Sequence, residues 1–322
     1  MEFNGGMTFT GAFTITAPPP PPSAKAIFGY GKGSGGSAVS MTNLVSNTGV
    51  VATDVTGVGT ARGGLAAAGY GTDKAIFGYG RDGSATYVST TNKVSNTGVV
   101  AANTTGVGTA RGENLGAAGY GTTGQAIFGY GGIGGGSTSY SMTNLVSNTG
   151  VVSTDTTGVG TARQYVGAAG YGTDKAIFGY GTTNGGGTLV SMTNLVSNTG
   201  VVGNNVTGVG TARMPTATGY GTDKAIFGYG YNNIGSGVTA ITNLVSNTGV
   251  VANDTTGVGT ARYGLAAAGY GSDTAIFGYG LNGSGIELSM TNLVSNTGVV
   301  ANDTTGVGTA RQALAAASYG LA

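Results

Sequence analysis

Short apolar runs broken by Gly-rich turns recur along the whole chain after residue 24. Nowhere do they keep the i, i+3, i+4 spacing of a helix, so the pattern predicts strands throughout. The most insistent run is Lys25–Gly31, KAIFGYG, which returns around Ile76, Ile127, Ile177, Ile226 and Ile276. A second landmark, TGVGTAR, ends at Arg62, Arg111, Arg163, Arg213, Arg262 and Arg311, at spacings of 49 to 52 residues. Both landmarks count six units. Within a unit, Leu65–Gly71 (LAAAGYG) predicts a small apolar first strand, and Thr72–Asp73 a tight reversal into KAIFGYG as the second. Met41–Asn47 (MTNLVSN) predicts the third strand and Val50–Gly57 the fourth. Between them Asn47–Gly49 predicts a hairpin turn, its Gly at positive φ.

Four short antiparallel strands per repeat are the pattern of a propeller blade, so the expected fold class is all-β, a six-bladed β-propeller. The segment after Pro22 opens with a second strand, whereas Leu314–Gly320 reads as a first strand. Pairing the two completes one blade from both ends and leaves no blade open to edge pairing.

These residues resemble kelch propeller repeats. AIFGYG stands where that family has a hydrophobic strand ending in paired glycines. TNLVSNTGVV matches its outer hairpin, and GTAR followed by LAAAGYG matches the Arg ahead of its innermost strand. The resemblance spans residues 25–322 and departs in two places: Gly-Gly has become Gly-Tyr-Gly, and the outer-strand Trp is Val51 and its equivalents. It implies four-stranded blades packed around an axis.

Residues 1–17 follow a different rule. Met1, Phe3, Met7, Phe9, Phe13 and Ile15 all occupy odd positions, while even positions carry Glu2, Asn4 and four Thr, which predicts an extended amphipathic β arm. Residues 18–24 contain five prolines, a stiff linker about 15 Å long at roughly 3.1 Å per residue. The expected organisation is therefore arm (1–17), polyproline linker (18–24) and propeller (25–322). An arm held away from the propeller suits docking or trimerisation through Phe3, Met7, Phe9, Phe13 and Ile15; the other reading is a frayed N-terminus or a strand lying on the propeller's own surface. Short Gly/Thr/Phe strands followed by polyproline resemble the N-terminal anchors of bacteriophage virion proteins, cyanophage ones included. That resemblance implies a virion location and partners among other virion or filament proteins.

Composition narrows the chemistry. Among 322 residues there are 67 Gly and no Cys, His or Trp; 39% are hydrophobic, enough for a core. Disulfides, thiolate metal sites and the common nucleophile–base pairs are thereby excluded. A net charge of +1 offers no electrostatic case for nucleic acid, and no apolar run reaches the roughly 18–20 residues of a spanning helix. The N-terminus lacks the basic and apolar regions of a standard signal peptide. The expectation is a non-enzymatic protein with no cofactor and no metal.

The six phased arginines admit two readings: a guanidinium ring for an anion, or bonds to backbone carbonyls between blades. Asp54, Asp155, Asp254 and Asp303, with Asn103 and Asn205 at the equivalent positions, are phased as well, and symmetric copies do not supply the unlike environments that a catalytic carboxylate pair needs. Variation concentrates in the segments after each Gly-Tyr-Gly, which a four-stranded blade places on one face. There Lys32, Arg81, Asp82, Tyr87, Tyr140, Asn184, Tyr231, Asn232, Asn233 and Glu287 form the candidate binding surface, with aromatic and amide groups suited to a host surface glycan or protein. The expected function is display and adhesion on a phage virion; the alternative is a lectin-like or filament-forming module at a host cell surface.

Overall fold

The computed structural model describes residues 24–183, 187–233 and 237–320, so the arm residues Phe3, Met7, Phe9, Phe13 and Ile15, and Asn184 on the varied face, lie outside the described residues. The described chain is all-β, built of small antiparallel sheets, with two single 3-10 turns and no α-helix. Among these residues no helix is long and apolar enough to cross a membrane.

Every unit centres on its KAIFGYG strand. In the unit that opens the described chain, Lys25–Gly29 pairs on one side with Thr42–Val45 and on the other with Ala315–Tyr319, in the register Lys25↔Tyr319 to Gly29↔Ala315. The first and last strands of the described residues thus share one sheet. The remaining units repeat this order, for example Ala66–Tyr70, Lys74–Gly78 and Thr91–Val94. Ala, Ile and Phe of every central strand are fully buried on both faces, because each sheet is covered by a neighbour on either side.

The first strands contact one another in cyclic order: Ala66–Tyr70, Gly116–Tyr120, Gly167–Tyr171, Met214–Tyr220, Ala266–Tyr270, Ala315–Tyr319, and back to Ala66–Tyr70. Six core clusters follow the same cycle, each drawing residues from two consecutive units. At one end, backbone hydrogen bonds of 2.6–2.7 Å run from turn to turn, Gly71 to Gly124, Gly121 to Asp174, Gly172 to Asp223, Gly221 to Asp273, Gly271 to Ala24 and Gly320 to Asp73. Small residues make this convergence feasible: a Cβ on Gly69 would lie 3.3 Å from the Ser318 carbonyl oxygen of the adjacent strand.

Gly-Tyr-Gly is the joint between units. Tyr30 adopts φ 62° and its ring is fully buried, 5.1 Å from the Phe77 ring of the next unit. Phe77 presses on Gly29, where a Cβ would come within 2.6 Å of its Cζ, so a side chain there would drive the two units apart. Five further Tyr–Phe pairs repeat the contact at 4.9–5.2 Å. Burying such a Phe contributes roughly 1.5–3 kcal/mol, and the pair geometry about 0.5–1.5 kcal/mol more.

The predicted fourth strand needs correction. Residues 50–57 make two isolated bridges to the third strand, Val45↔Val51 and Thr42↔Val55, rather than a continuous ladder, and every unit repeats this. The cause is a buried Asn. Asn43 Nδ2 reaches across to donate to the Ala52 carbonyl at 3.0 Å and to Asp54 Oδ1 at 2.9 Å, so its side chain takes the place of the intervening backbone pairs. The NTG turn forms as expected: Gly49 sits at φ 81°, and Ser46 Oγ accepts from the Val50 amide.

Candidate binding site at the axial mouth

The charges that repeat are consumed by the scaffold. Arg262 is fully buried; its Nε donates to the Tyr279 carbonyl at 2.8 Å, Nη1 to the Thr260 carbonyl at 2.9 Å and Nη2 to Asn292 Oδ1 at 2.6 Å. Its guanidinium also lies 4.5 Å from the Tyr229 ring of the preceding unit. Burial pulls the Arg262 guanidinium below its ordinary pKa, a shift that Tyr229 and Asp303 partly offset. Four other copies follow this scheme, whereas Arg163 leaves its buried Nε without a partner and turns Nη1 to the Met192 carbonyl at 3.4 Å. No open guanidinium ring results.

The phased carboxylates lock one unit to the next. Asp54 accepts from the Thr309 hydroxyl at 2.6 Å, the Thr309 amide and Asn43 Nδ2, with Arg311 Nη1 at 3.8 Å. Burial raises its pKa, but these hydrogen bonds outweigh burial and hold the carboxyl below its usual value of 3.8. Asp155, Asp254 and Asp303 are held down in the same way. A carboxyl whose pKa is depressed by folding contributes stability above its unfolded pKa and loses it as pH falls through the folded value. The unfolding midpoint should therefore fall as pH drops below about 4. The combined Asp→Asn variant at these four positions should flatten that fall in a denaturant series taken from pH 7 to 2. A fall of unchanged steepness in the variant would assign the acid sensitivity elsewhere.

The uniform turns and the varied segments occupy opposite ends. Asn247 Nδ2 donates to Asp223 Oδ2 and Asn296 Nδ2 to Asp273 Oδ2, so the NTG and TD turns meet at one end. At the other end the segments after Gly-Tyr-Gly meet the residues after GTAR, as in Lys32↔Gln312, Arg62↔Asp82, Gln164↔Thr182 and Tyr140↔Arg163.

On this varied end a cavity of about 170 Å3 is lined by Lys32, Arg81, Glu113, Asn114, Tyr165, Tyr263 and Gln312, drawn from five units. Lys32 reaches it along Gly63, where a Cβ would come within 2.8 Å of its Cγ. Glu113 is held by phenols: Oε1 accepts from Tyr87 Oη, and Oε2 from Tyr165 Oη at 2.9 Å. Burial, and then the Glu113 carboxylate, push both tyrosines above their ordinary pKa, so both remain protonated donors at neutral pH. The Gly135 amide donates to Tyr87 Oη, and Arg81 lies 5.5 Å from the Tyr87 ring. Asn114, Tyr165, Tyr263 and Gly264 also border a narrower cavity of about 80 Å3 below, walled largely by Ala and Leu of all six first strands.

Of the expected surface residues, the structure gathers Lys32, Arg81 and Tyr87 around this mouth. Tyr231 joins its rim through Tyr263, their rings 5.6 Å apart. Its Oη donates to Asn233 Oδ1, and Asn232 pairs its backbone amide with the Gly237 carbonyl. Asp82 instead caps its own loop, accepting from the Ser84 and Thr86 amides. Tyr140 bridges Arg163 through the backbone, and Glu287 lies on a strand opposite Leu281. Glu113, Asn114, Tyr165, Tyr263 and Gln312 are missing from the sequence-based surface. Their signal was the second zone of variation, the residues that follow each TAR: GG, GEN, QY, MP, YG and QA. No protein-family model matches this chain, and neither does any curated protein.

Proposed function

We propose that the chain is a non-catalytic structural and adhesive protein of a phage virion, a six-bladed kelch-like propeller displayed by its N-terminal arm. The cyclic contact order, the sheet shared by Lys25–Gly29 and Ala315–Tyr319, and the turn-to-turn hydrogen bonds support the propeller reading. The observation that carries the functional reading is the division of labour between the two ends. Repeated charges are spent on joining units, whereas the groups that break the repeat collect around one cavity open at the varied end. A recognition surface needs that asymmetry; a scaffold does not. The virion assignment rests on the sequence of residues 1–22, whose alternating apolar positions and five consecutive prolines suit a docking arm.

Removing residues 1–22 tests the arm. The truncated chain is expected to remain folded and monomeric and to lose assembly onto particles, read by sedimentation and by mass spectrometry of purified virions. Continued assembly of the truncated chain would overturn the anchoring role. A glycan array with the truncated chain tests recognition, and silence at high protein density would favour a purely architectural protein.

A further inference from the structure

The side chains at the mouth are kept there against local conformational preference. In five units the residue just before the apolar start of the first strand has a left-handed backbone, and two of them supply Gly64 (φ 65°) and Gly264 (φ 62°). Three others place Asn114 (φ 49°), Tyr165 (φ 55°) and Ala313 (φ 52°) in that conformation, which Gly adopts more readily than any of them. Glu113, itself at φ 54°, belongs to the longest of these insertions: GEN has three residues, four units have two, and the unit after Arg213 has Met214 alone. Because Gly satisfies the same turn elsewhere in the chain, backbone geometry alone does not account for Asn114 and Tyr165. Both line the mouth, and Tyr165 holds Glu113.

The hydrogen-bonding capacity left over there is mainly that of donors. Both oxygens of Glu113 already accept a phenol proton. Lys32 and Arg81 line the same cavity, and neither forms an ion pair among the described residues. Arg81 spends its Nε on the Ala85 carbonyl, which leaves its terminal N–H groups uncommitted within the described residues. Two cations beside one already-bonded carboxylate favour a ligand that brings an anion. The amides of Asn114 and Gln312 suit hydroxyl groups, and the rings of Tyr165 and Tyr263 suit the apolar face of a sugar. The cavity beneath is narrow and lined by residues such as Leu65, Ala67, Leu115 and Leu265, so a chain cannot pass along the axis.

We propose that the axial mouth binds the terminal, carboxylate-bearing residue of an acidic saccharide, with Lys32 and Arg81 holding the carboxylate and Glu113, Asn114 and Gln312 facing the ring hydroxyls. This rests on the reading of the varied end as a recognition surface and adds the ligand class and the end of the chain that is read.

The test is calorimetric titration of the full-length protein with three short oligosaccharides: one ending in glucuronate at the non-reducing end, its glucose-terminated counterpart, and an isomer with the glucuronate internal. The first is expected to bind at least ten-fold more tightly than the other two, with affinity falling as salt rises. Lys32→Gln and Arg81→Gln should each weaken it about ten-fold at an unchanged unfolding midpoint, while Lys93→Gln, at the opposite end, leaves it unaltered. Equal affinity for the neutral and acidic ligands, equal affinity for the internal isomer, or indifference to both cavity substitutions would overturn the proposal. Binding of neutral glycans alone sinks this assignment and leaves the recognition reading standing, whereas no binding by any glycan removes both.

Discussion

Arg262→Ala is expected to destabilise the fold by about 3–5 kcal/mol, among the largest single-residue effects available in this chain. The substitution leaves the Tyr279 and Thr260 carbonyls and Asn292 Oδ1 without their donor and removes a guanidinium 4.5 Å from the Tyr229 ring. It also opens a cavity between two units that nothing nearby can fill. Repetition supplies an internal control. Arg163 occupies the same position, but its Nε has no partner, and Asn205 stands where Asp303 serves Arg262. Arg163→Ala should therefore cost about 1–2 kcal/mol less, since fewer groups are stranded. Guanidinium chloride unfolding of both variants measures the difference. An Arg262→Ala midpoint close to that of the parent would mean that the buried arginines are not what joins the units.

Joining the two ends of the described chain should produce a gain of similar size. Ala26 and Ser318 are directly opposed in the register that pairs Lys25–Gly29 with Ala315–Tyr319. Opposed antiparallel residues lie about 4.5–5.5 Å apart at Cα, within the range a disulfide spans. The chain contains no cysteine, so Ala26→Cys combined with Ser318→Cys can form only one intramolecular bridge. Constraining a loop of nearly the whole chain stabilises by up to about 5 kcal/mol. Losing the 2.7 Å bond from Ser318 Oγ to the Gly269 carbonyl offsets about 1 kcal/mol of that. The expected outcome is quantitative bridging under mild oxidation and an unfolding midpoint that drops when reductant is added. Failure of the two thiols to bridge, or a midpoint indifferent to reductant, would contradict the pairing of the terminal strands.

The acid response offers a milder check on the same architecture. Its carrier is a bond between units, from Thr309 to Asp54, whose partners are 255 positions apart in sequence. Loss of cooperativity together with loss of stability at low pH would mark it as a joint between units rather than a local cap.

What was legible in the sequence was whatever is decided locally or by repetition. Period and turn chemistry announced six units, because Gly at NTG meets a backbone demand set within a few residues. The opening strand could be matched to Leu314–Gly320, because an unpaired strand at each end leaves complementary edges.

The fourth strand was misjudged for a physical reason. VVATDVTG has the residues of a strand, but Asn43, belonging to its neighbour, occupies the ladder with a side chain, and propensity does not report what a partner's side chain will do. The mouth was half legible for a related reason. Lys32, Arg81 and Tyr87 stood in an obvious zone of variation, whereas Glu113, Tyr165, Tyr263 and Gln312 are one or two residues each after an invariant TAR, roughly 50 residues apart. Sequence alone determined the repeated scaffold, because each unit's turns and apolar strands are dictated by short-range chemistry. Tertiary structure alone brought those scattered residues around one 170 Å3 cavity, because the cyclic order of the first strands carries the start of each unit to a common axis.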